Sequence, residues 1–253
     1  MKAVTIVKLG GNVVAPKDWK EQTIDATTVT RLCAELSDGL KIAGTALLVV
    51  VGSGNFGHAA VKKYGINTPL GISRVQNIAR GTGAAVTQSL LDLGLPATLI
   101  APHDIWPHGD TQVITQVLTM KFIPVLYGDV VLDTKQLATI YSGEICITKL
   151  IPTLLSDSWK IRSIIQAGKE NGVLDTNQKV IPEISNKNWN EMKSSVGGSP
   201  FTDVTGGMLH KVTESLAVAE KYHLETLVIN GAIAKRLHHA LLGKDVIGTR
   251  IIP

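Results

Sequence analysis

Apolar and polar positions follow two rhythms along the chain. Short unbroken apolar runs at 3–8, 45–51, 97–101, 122–127, 161–165 and 226–230 predict strands buried on both faces. Between them the apolar positions recur at helical spacing. Ala26, Val29, Leu32, Cys33, Leu36 and Leu40 mark a helix over 25–40. Further helices are predicted at 75–93, stopped by Gly94, at 112–120, and at 205–222 with a glycine start. Strands separated by helices need crossover connections, so the pattern predicts an α/β fold with a mostly parallel central sheet covered on both faces. The polar stretch 175–200 reads as loop. No internal repeat or low-complexity linker interrupts the chain. A soft boundary near residue 150 would divide an N-terminal lobe, 1–150, from a C-terminal lobe, 151–253.

Composition narrows the class. At 44% hydrophobic and 18% charged residues, the 253-residue chain can bury a core and is not a disordered polymer. The formal charge of +4 suits an anionic small molecule. Without a Lys/Arg run or an Arg-aromatic stripe it gives no case for nucleic acid. Cys33 and Cys146 form no CxxC or Cys/His pattern, so both are expected as buried reduced thiols in a reducing, cytoplasmic setting. There is no signal-peptide layout, and the apolar stretch 46–51 is too short to cross a bilayer, so no membrane association is expected.

The chemistry concentrates where strands end in glycine. Lys8-Leu9-Gly10-Gly11-Asn12 and Gly52-Ser53-Gly54-Asn55-Phe56-Gly57-His58 both follow predicted strands. Ligands of parallel sheets sit beyond the carboxyl ends of strands. Glycines let backbone N–H groups approach phosphate oxygens, and a following helix adds favourable partial charge. Each turn alone could equally be a tight strand-to-helix connection. The second also spells GxGxxG, but no Asp or Glu lies between His58 and Asp92 to hold a ribose. Arg74 or Arg80 keeps a weak NADP reading open. A third glycine signal, Gly206-Gly207, opens the helix that carries Lys211. Lys8 is a lone charge ending an apolar strand, and buried lysines are rare unless paired. Lys17, past the same turn, is a further cation, although it and Lys211 could each be a solvated lysine.

Together these segments resemble a known family. Lys8-Leu9-Gly10-Gly11 resembles the opening KxGG signature of the amino acid kinase superfamily, and Gly52 to His58 is similar to the GGGSFGH turn of its isopentenyl phosphate kinases. Tyr127-Gly128-Asp129-Val130 and Tyr141-Ser142-Gly143-Glu144 resemble that family's YGDV and SGD pair. Asp203 to Lys211 resembles its DVTGGMxxK helix start, and Ile247-Gly248-Thr249 its closing strand. The matches keep the family's order over nearly the whole chain. Fosfomycin kinases share the architecture and the histidine of the second turn.

The resemblance implies an open αβα sandwich, with a phosphate acceptor in the N-terminal lobe and ATP in the C-terminal lobe. Position by position, it implies that Lys8 spans the transferring phosphoryl group. Gly10, Gly11, Gly52 and Gly54 would offer backbone donors, and Lys17 and Lys211 would neutralise nucleotide phosphates. His58 would bond the acceptor phosphate, and Glu144 would orient the lysines. Ser53, Gly57, Gly128, Ser142 and Gly143 would complete the acceptor site, and Gly168, Gly172, Gly206 and Gly207 the nucleotide site. Mg²⁺ would be held mainly by ATP phosphates and water, with no protein metal ligand readable, and a homodimer is the family's usual state. Such chemistry rests on positioning and charge compensation. Loss of Lys8 is therefore expected to cost turnover while thermal stability holds or rises.

The chain also departs from the family pattern. Ser53 replaces a glycine, Asn55 a serine, Val51 a histidine and Asn12 a common serine, while Glu144 replaces an aspartate. Where relatives carry LTDVDG, this chain reads Ala167-Gly168-Lys169-Glu170-Asn171-Gly172. Three readings follow: a kinase making a diphosphate from an alkyl monophosphate, a phosphonate kinase, and a non-catalytic nucleotide- or anion-binding relative.

Overall fold

The structure is a computed structural model and describes residues 2–106, 109–194, 196 and 207–253. Strand β1 (Lys2–Leu9) runs to Gly10, and the short α1 (Gly11–Val14) follows. Helix α2 (Ala26–Ala43) starts where the Asp25 carboxylate accepts the Thr28 N–H at 3.0 Å, and it ends at Gly44 in the left-handed region. Then come β2 (Ala46–Val51), α3 (Gly54–Tyr64), α4 (Pro69–Asp92), β3 (Ala97–Leu99), α5 (Pro102–Ile105), α6 (Gln112–Thr119) and β4 (Ile123–Tyr127). A hairpin, β5 (Asp129–Asp133) and β6 (Leu137–Tyr141), leads into α7 (Gly143–Ser156) and β7 (Trp159–Gly168). The chain closes with β8 (Glu183–Ile184), α8 (Asn186–Met192), α9 (Gly207–Tyr222), β9 (Thr226–Asn230), α10 (Arg236–Leu241) and β10 (Gly248–Ile251).

Eight strands form one sheet in the order β3-β4-β2-β1-β7-β9-β10-β8, parallel except where β10 runs against β9. Alternate residues of each strand serve opposite layers. Val7, Leu9, Val49 and Val51 pack with Leu32, Leu36, Val86 and Leu90 of α2 and α4. Ile6, Leu48, Val50 and Leu126 pack with Ile114, Leu150 and Val218 on the other face. The result is the α/β sandwich with a mostly parallel sheet that the sequence pattern implies. No described helix is long and apolar enough to cross a membrane. Both cysteines are buried and unpaired, and burial pushes the Cys33 thiol up to about 11.

Several elements differ from the sequence reading. The helix expected at 75–93 begins at Pro69, because Thr68 caps it through the Gly71 N–H and proline suits the first turn. The polar stretch 175–200 holds β8 and α8, the latter started by the Asn188 side chain accepting the Ser185 N–H at 2.8 Å. Helix α7 and the β5–β6 hairpin went unread. Residue 150 lies inside α7, fully buried, and the sheet runs unbroken from one half of the chain to the other through the β1–β7 pairing.

Candidate active site

Beyond the carboxyl ends of β1, β2, β7 and β9 lies a cleft of about 590 Å³. The two early glycine turns meet there backbone to backbone. A Cβ on Gly11 would sit 2.3 Å from Gly54 N, and one on Gly52 would sit 2.3 Å from Gly11 N. Only glycine allows this approach. The contact brings the starts of α1 and α3, residues Gly11 and Gly54, side by side at the cleft.

The expected backbone donors divide. Gly10 N–H donates to Ala167 O and Gly52 N–H to Leu9 O, each at 2.8 Å, so both are already spent in backbone bonds beside the sheet. That corrects their expected role as phosphate donors, although both line the cleft. Gly11 and Gly54 stand at helix starts, where N–H groups lack intrahelical partners, and among the described residues no backbone hydrogen bond engages theirs.

Lys8, the penultimate residue of β1, places its ammonium 2.5 Å from Glu144 Oε1, both side chains under a tenth exposed. Gly143 makes this possible, because a Cβ there would sit 2.6 Å from Lys8 Cε. Burial would raise the Glu144 carboxyl, but the charges of Lys8 and then Lys211 outweigh it and hold the carboxyl well below its usual range. Lys211 lies in α9, its ammonium 3.3 Å from where a Gly168 Cβ would stand. One carboxylate thus gathers two lysines from opposite halves of the chain. Because Lys8 and Glu144 form a buried pair, the geometry argues for a stability loss on removing Lys8 alone, where the sequence reading expects stability to hold or rise.

Lys17, His58, Ser53, Gly57, Gly128, Ser142, Gly168 and Gly207 also line the cleft. Gly206 lies outside the described residues. Gly172 does not line the cleft. It packs against Thr249 of β10, whose hydroxyl accepts the neighbouring Val173 N–H at 2.7 Å. The altered 167–172 turn sends Lys169 and Glu170 into the cleft wall, while Asn171 accepts from Arg236 of α10 at 2.6 Å.

Other contributors were missed or misread in the sequence. Asn12 and Asn55 stand there as departures, yet they organise the loop that carries Lys17. Asn12 Oδ1 accepts the Lys17 backbone N–H at 2.9 Å. Asn55 is buried, donates to Pro16 O and Thr23 O, and accepts the Thr23 N–H. Ser142 caps α7 by accepting the Ile145 N–H, and its hydroxyl lies 3.0 Å from His210 Nε2 of α9. Away from the charges the cleft turns apolar, lined by Val61, Val75, Ala79, Val130 and Ile140. The α4 residues of this wall, Val75 and Ala79, fall within the helix that the sequence predicts at 75–93. The hairpin residues carried no sequence signal for it.

Residues 3–230 match the family described as the amino acid kinase family. The chain belongs to the amino acid kinase family. It is 31% identical to the isopentenyl phosphate kinase of Methanothermobacter thermautotrophicus, with 97% of this chain and 98% of that protein aligned. Against the isopentenyl phosphate kinase of Methanocaldococcus jannaschii the identity is 30%, with 98% of each covered. A solved isopentenyl phosphate kinase structure superposes with a TM-score of 0.81 at 27% identity, covering 98% of this chain and 100% of that one. A Giardia carbamate kinase, 13% identical with a TM-score of 0.69 and 99% of each chain covered, shares the fold.

Proposed function

We propose that this protein is a small-molecule kinase that transfers the terminal phosphoryl group of ATP to isopentenyl phosphate, making the diphosphate. The observation that carries this reading is the join, in one cleft, of a lysine-rich centre and an apolar end. An alkyl monophosphate has the same two parts, and a prenyl tail needs a dry wall. A small phosphonate has no use for the apolar end, so phosphonate phosphorylation is the weaker reading. The named activity of the relatives points the same way.

In this reading the N-terminal half, 1–150, holds the acceptor and the C-terminal half, 151–253, holds ATP. His58 donates to the acceptor phosphate, and the Gly11 and Gly54 N–H groups face the phosphates between the two substrates. Lys8 follows the phosphoryl group as charge moves onto its oxygens. Lys17 and Lys211 compensate the nucleotide phosphates, and Glu144 keeps Lys8 and Lys211 together. No residue need form a covalent intermediate, because positioning and electrostatics suffice for phosphoryl transfer. Among the described residues no three potential metal ligands converge, and Glu144 is engaged by Lys8. Magnesium is therefore assigned to the ATP phosphates and water, where it would neutralise charge. A homodimer is also proposed. Exposed Leu91, Leu93, Met120 and Phe122 lie just before the edge strand β3 and its neighbour β4 and offer an apolar face for it. The two buried thiols favour a reducing, cytoplasmic setting.

The test is a coupled ADP-release assay with isopentenyl phosphate, dimethylallyl phosphate, fosfomycin, acetylglutamate and UMP. The reading requires the highest kcat/KM with isopentenyl phosphate. A preference for fosfomycin would transfer the assignment to the phosphonate reading, and no ADP release with any acceptor would favour a binding protein.

A further inference from the structure

The roof of the apolar end is the β5–β6 hairpin, which pairs only with itself and takes no place in the central sheet. Its base is linked to β4 by Gly128, whose N–H donates to Val51 O at 2.9 Å, and beyond that anchor its pose over α3 and α4 depends on side-chain contacts. Val130 and Ala138 pack with Ala60, Ile72 and Val75, and Gln76 Nε2 donates to Val130 O at 2.8 Å. At the hairpin's base Asp129 is paired with Tyr141, and one short element, α5 with its following residue, grips both. His103 Nδ1 lies 2.6 Å from Asp129 Oδ2, and the His103 backbone N–H donates to the same oxygen at 3.3 Å. The Trp106 ring sits 5.3 Å from the Tyr141 ring, centroid to centroid.

The Asp129 side chain has no exposed surface, and its other oxygen accepts the Val130 N–H at 2.8 Å. Asp129 borders the cleft, but its carboxylate is turned into the protein. A buried carboxylate needs partners, and the His103 ring and backbone N–H both reach this one, the imidazole supplying a charge when it is protonated. The groups around His103 are Asp129, Asp104 with its oxygen 3.8 Å from Nε2, and Arg80 of α4. Tyr127 of β4 also faces Asp129, its phenol pushed upward first by burial and then by that carboxylate.

Resting on the assignment of the apolar end to the acceptor, we propose that His103 is a positioning residue. By holding Asp129 it fixes the base of the hairpin, and with it the apolar roof over the acceptor's alkyl chain. Two consequences separate this from a general structural role. The effect of losing His103 must fall on the acceptor and grow with its tail. It must also depend on pH. The bond to Asp129 raises the His103 pKa above its ordinary value, with burial opposing and the charges of Asp129 and Asp104 assisting. The charged pair is thus complete below about pH 6.5 and is lost as pH rises through the raised value.

The experiment measures KM for isopentenyl phosphate, ethyl phosphate and ATP, with kcat, in wild type, His103→Gln and His103→Ala from pH 6 to 9. His103→Ala should raise the isopentenyl phosphate KM roughly tenfold, the scale of a hydrogen bond to a charged group, with kcat and the ATP KM within about twofold. Ethyl phosphate should show the smaller change. His103→Gln, which can still donate, should recover part of the loss. Its KM ratio to wild type should be largest at low pH and fall toward about one as His103 loses its proton. Equal changes in both substrates' KM, or a ratio flat with pH, would overturn the proposal while leaving the kinase reading intact. Absence of wild-type turnover would overturn that reading and this proposal with it. Should His103→Ala fail to fold, His103→Gln and the imidazole NMR titration of wild type decide. An imidazole titrating at or below its ordinary value would overturn the proposal.

Discussion

Two carboxylate pairs flank the cleft, and they are built from different materials: Lys8–Glu144 is buried on both sides, while His103–Asp129 sets a half-buried imidazole against a buried carboxylate. Lys8–Glu144 stands at the carboxyl edge of the central sheet, where β1 and α7 are fixed by strand pairing and a dense core. His103–Asp129 stands at the base of a hairpin that pairs only with itself and lies outside the central sheet. The Glu144 carboxyl is held well below its usual range, burial being outweighed by the charges of Lys8 and then Lys211, so it stays ionised at neutral pH. The histidine pair can lose its cation near neutrality. A rigid, permanently charged centre suits a step whose barrier is electrostatic. An adjustable roof suits recognition of an alkyl tail, where the energies are smaller and spread over many contacts.

Lys8→Ala should separate the two most sharply. Its removal should lower kcat by on the order of 10²-fold or more, as loss of a group facing developing charge does. It also leaves Glu144 buried with Lys211 as its remaining cation. We expect a stability loss toward the low end of the ~3–5 kcal/mol seen when one partner of a buried pair is removed. Turnover near wild type would show that the centre does not do the chemistry.

His58→Ala should act on acceptors rather than on the chemical step. Phosphorylated acceptors should bind more weakly by about 1.5–3 kcal/mol, roughly 10- to 150-fold, with part of the loss recovered in His58→Gln. Isothermal titration with isopentenyl phosphate reads this directly. Unchanged affinity would remove His58 from the acceptor site.

Lys211→Ala should raise the KM for ATP by roughly tenfold, more than the KM for the acceptor. Steady-state kinetics with each substrate varied in turn would show it, and an unchanged ATP KM would assign Lys211 to Glu144 alone.

The smallest effect is in stability against pH, and its sign differs between the pairs. Glu144 has a lowered pKa, so its contribution is full above about pH 4.3 and is lost as pH falls through the lowered value. His103 has a raised pKa, so its contribution is full below about pH 6.5 and is lost as pH rises through the raised value. Denaturant midpoints should therefore lose the Glu144 contribution at the acid end, flattened in Glu144→Gln. They should lose the His103 contribution as pH rises through its raised value, flattened in His103→Gln. Matching profiles for wild type and either variant would show that pair to be energetically silent.

The same contrast governs what could be read in the sequence. The centre was legible because apolar runs ending in glycine mark strands whose carboxyl edges face a ligand. Lys8 stood out as a lone charge after such a run, and Glu144 came through the ordered motifs. The hairpin was not legible, because β5 and β6 are five residues each and their partners in α3, α4 and α5 are remote in sequence. Nothing local tells His103 apart from any surface histidine. Asn55 was misread for a related reason. As a substitution in a motif it looked like erosion, whereas its amide ties three backbone groups of the loop around Lys17. Gly10 and Gly52 failed as phosphate donors because sequence shows a glycine's freedom but not whether its N–H is already bonded.

The product itself tests the account most directly. Phosphorus NMR of wild-type protein with MgATP and isopentenyl phosphate follows the γ-phosphoryl group atom by atom. The account predicts that the ATP γ resonance disappears as ADP and the two coupled doublets of an alkyl diphosphate grow in equal amounts. ADP accompanied only by inorganic phosphate, or an unchanged spectrum in which isopentenyl phosphate persists, would contradict it.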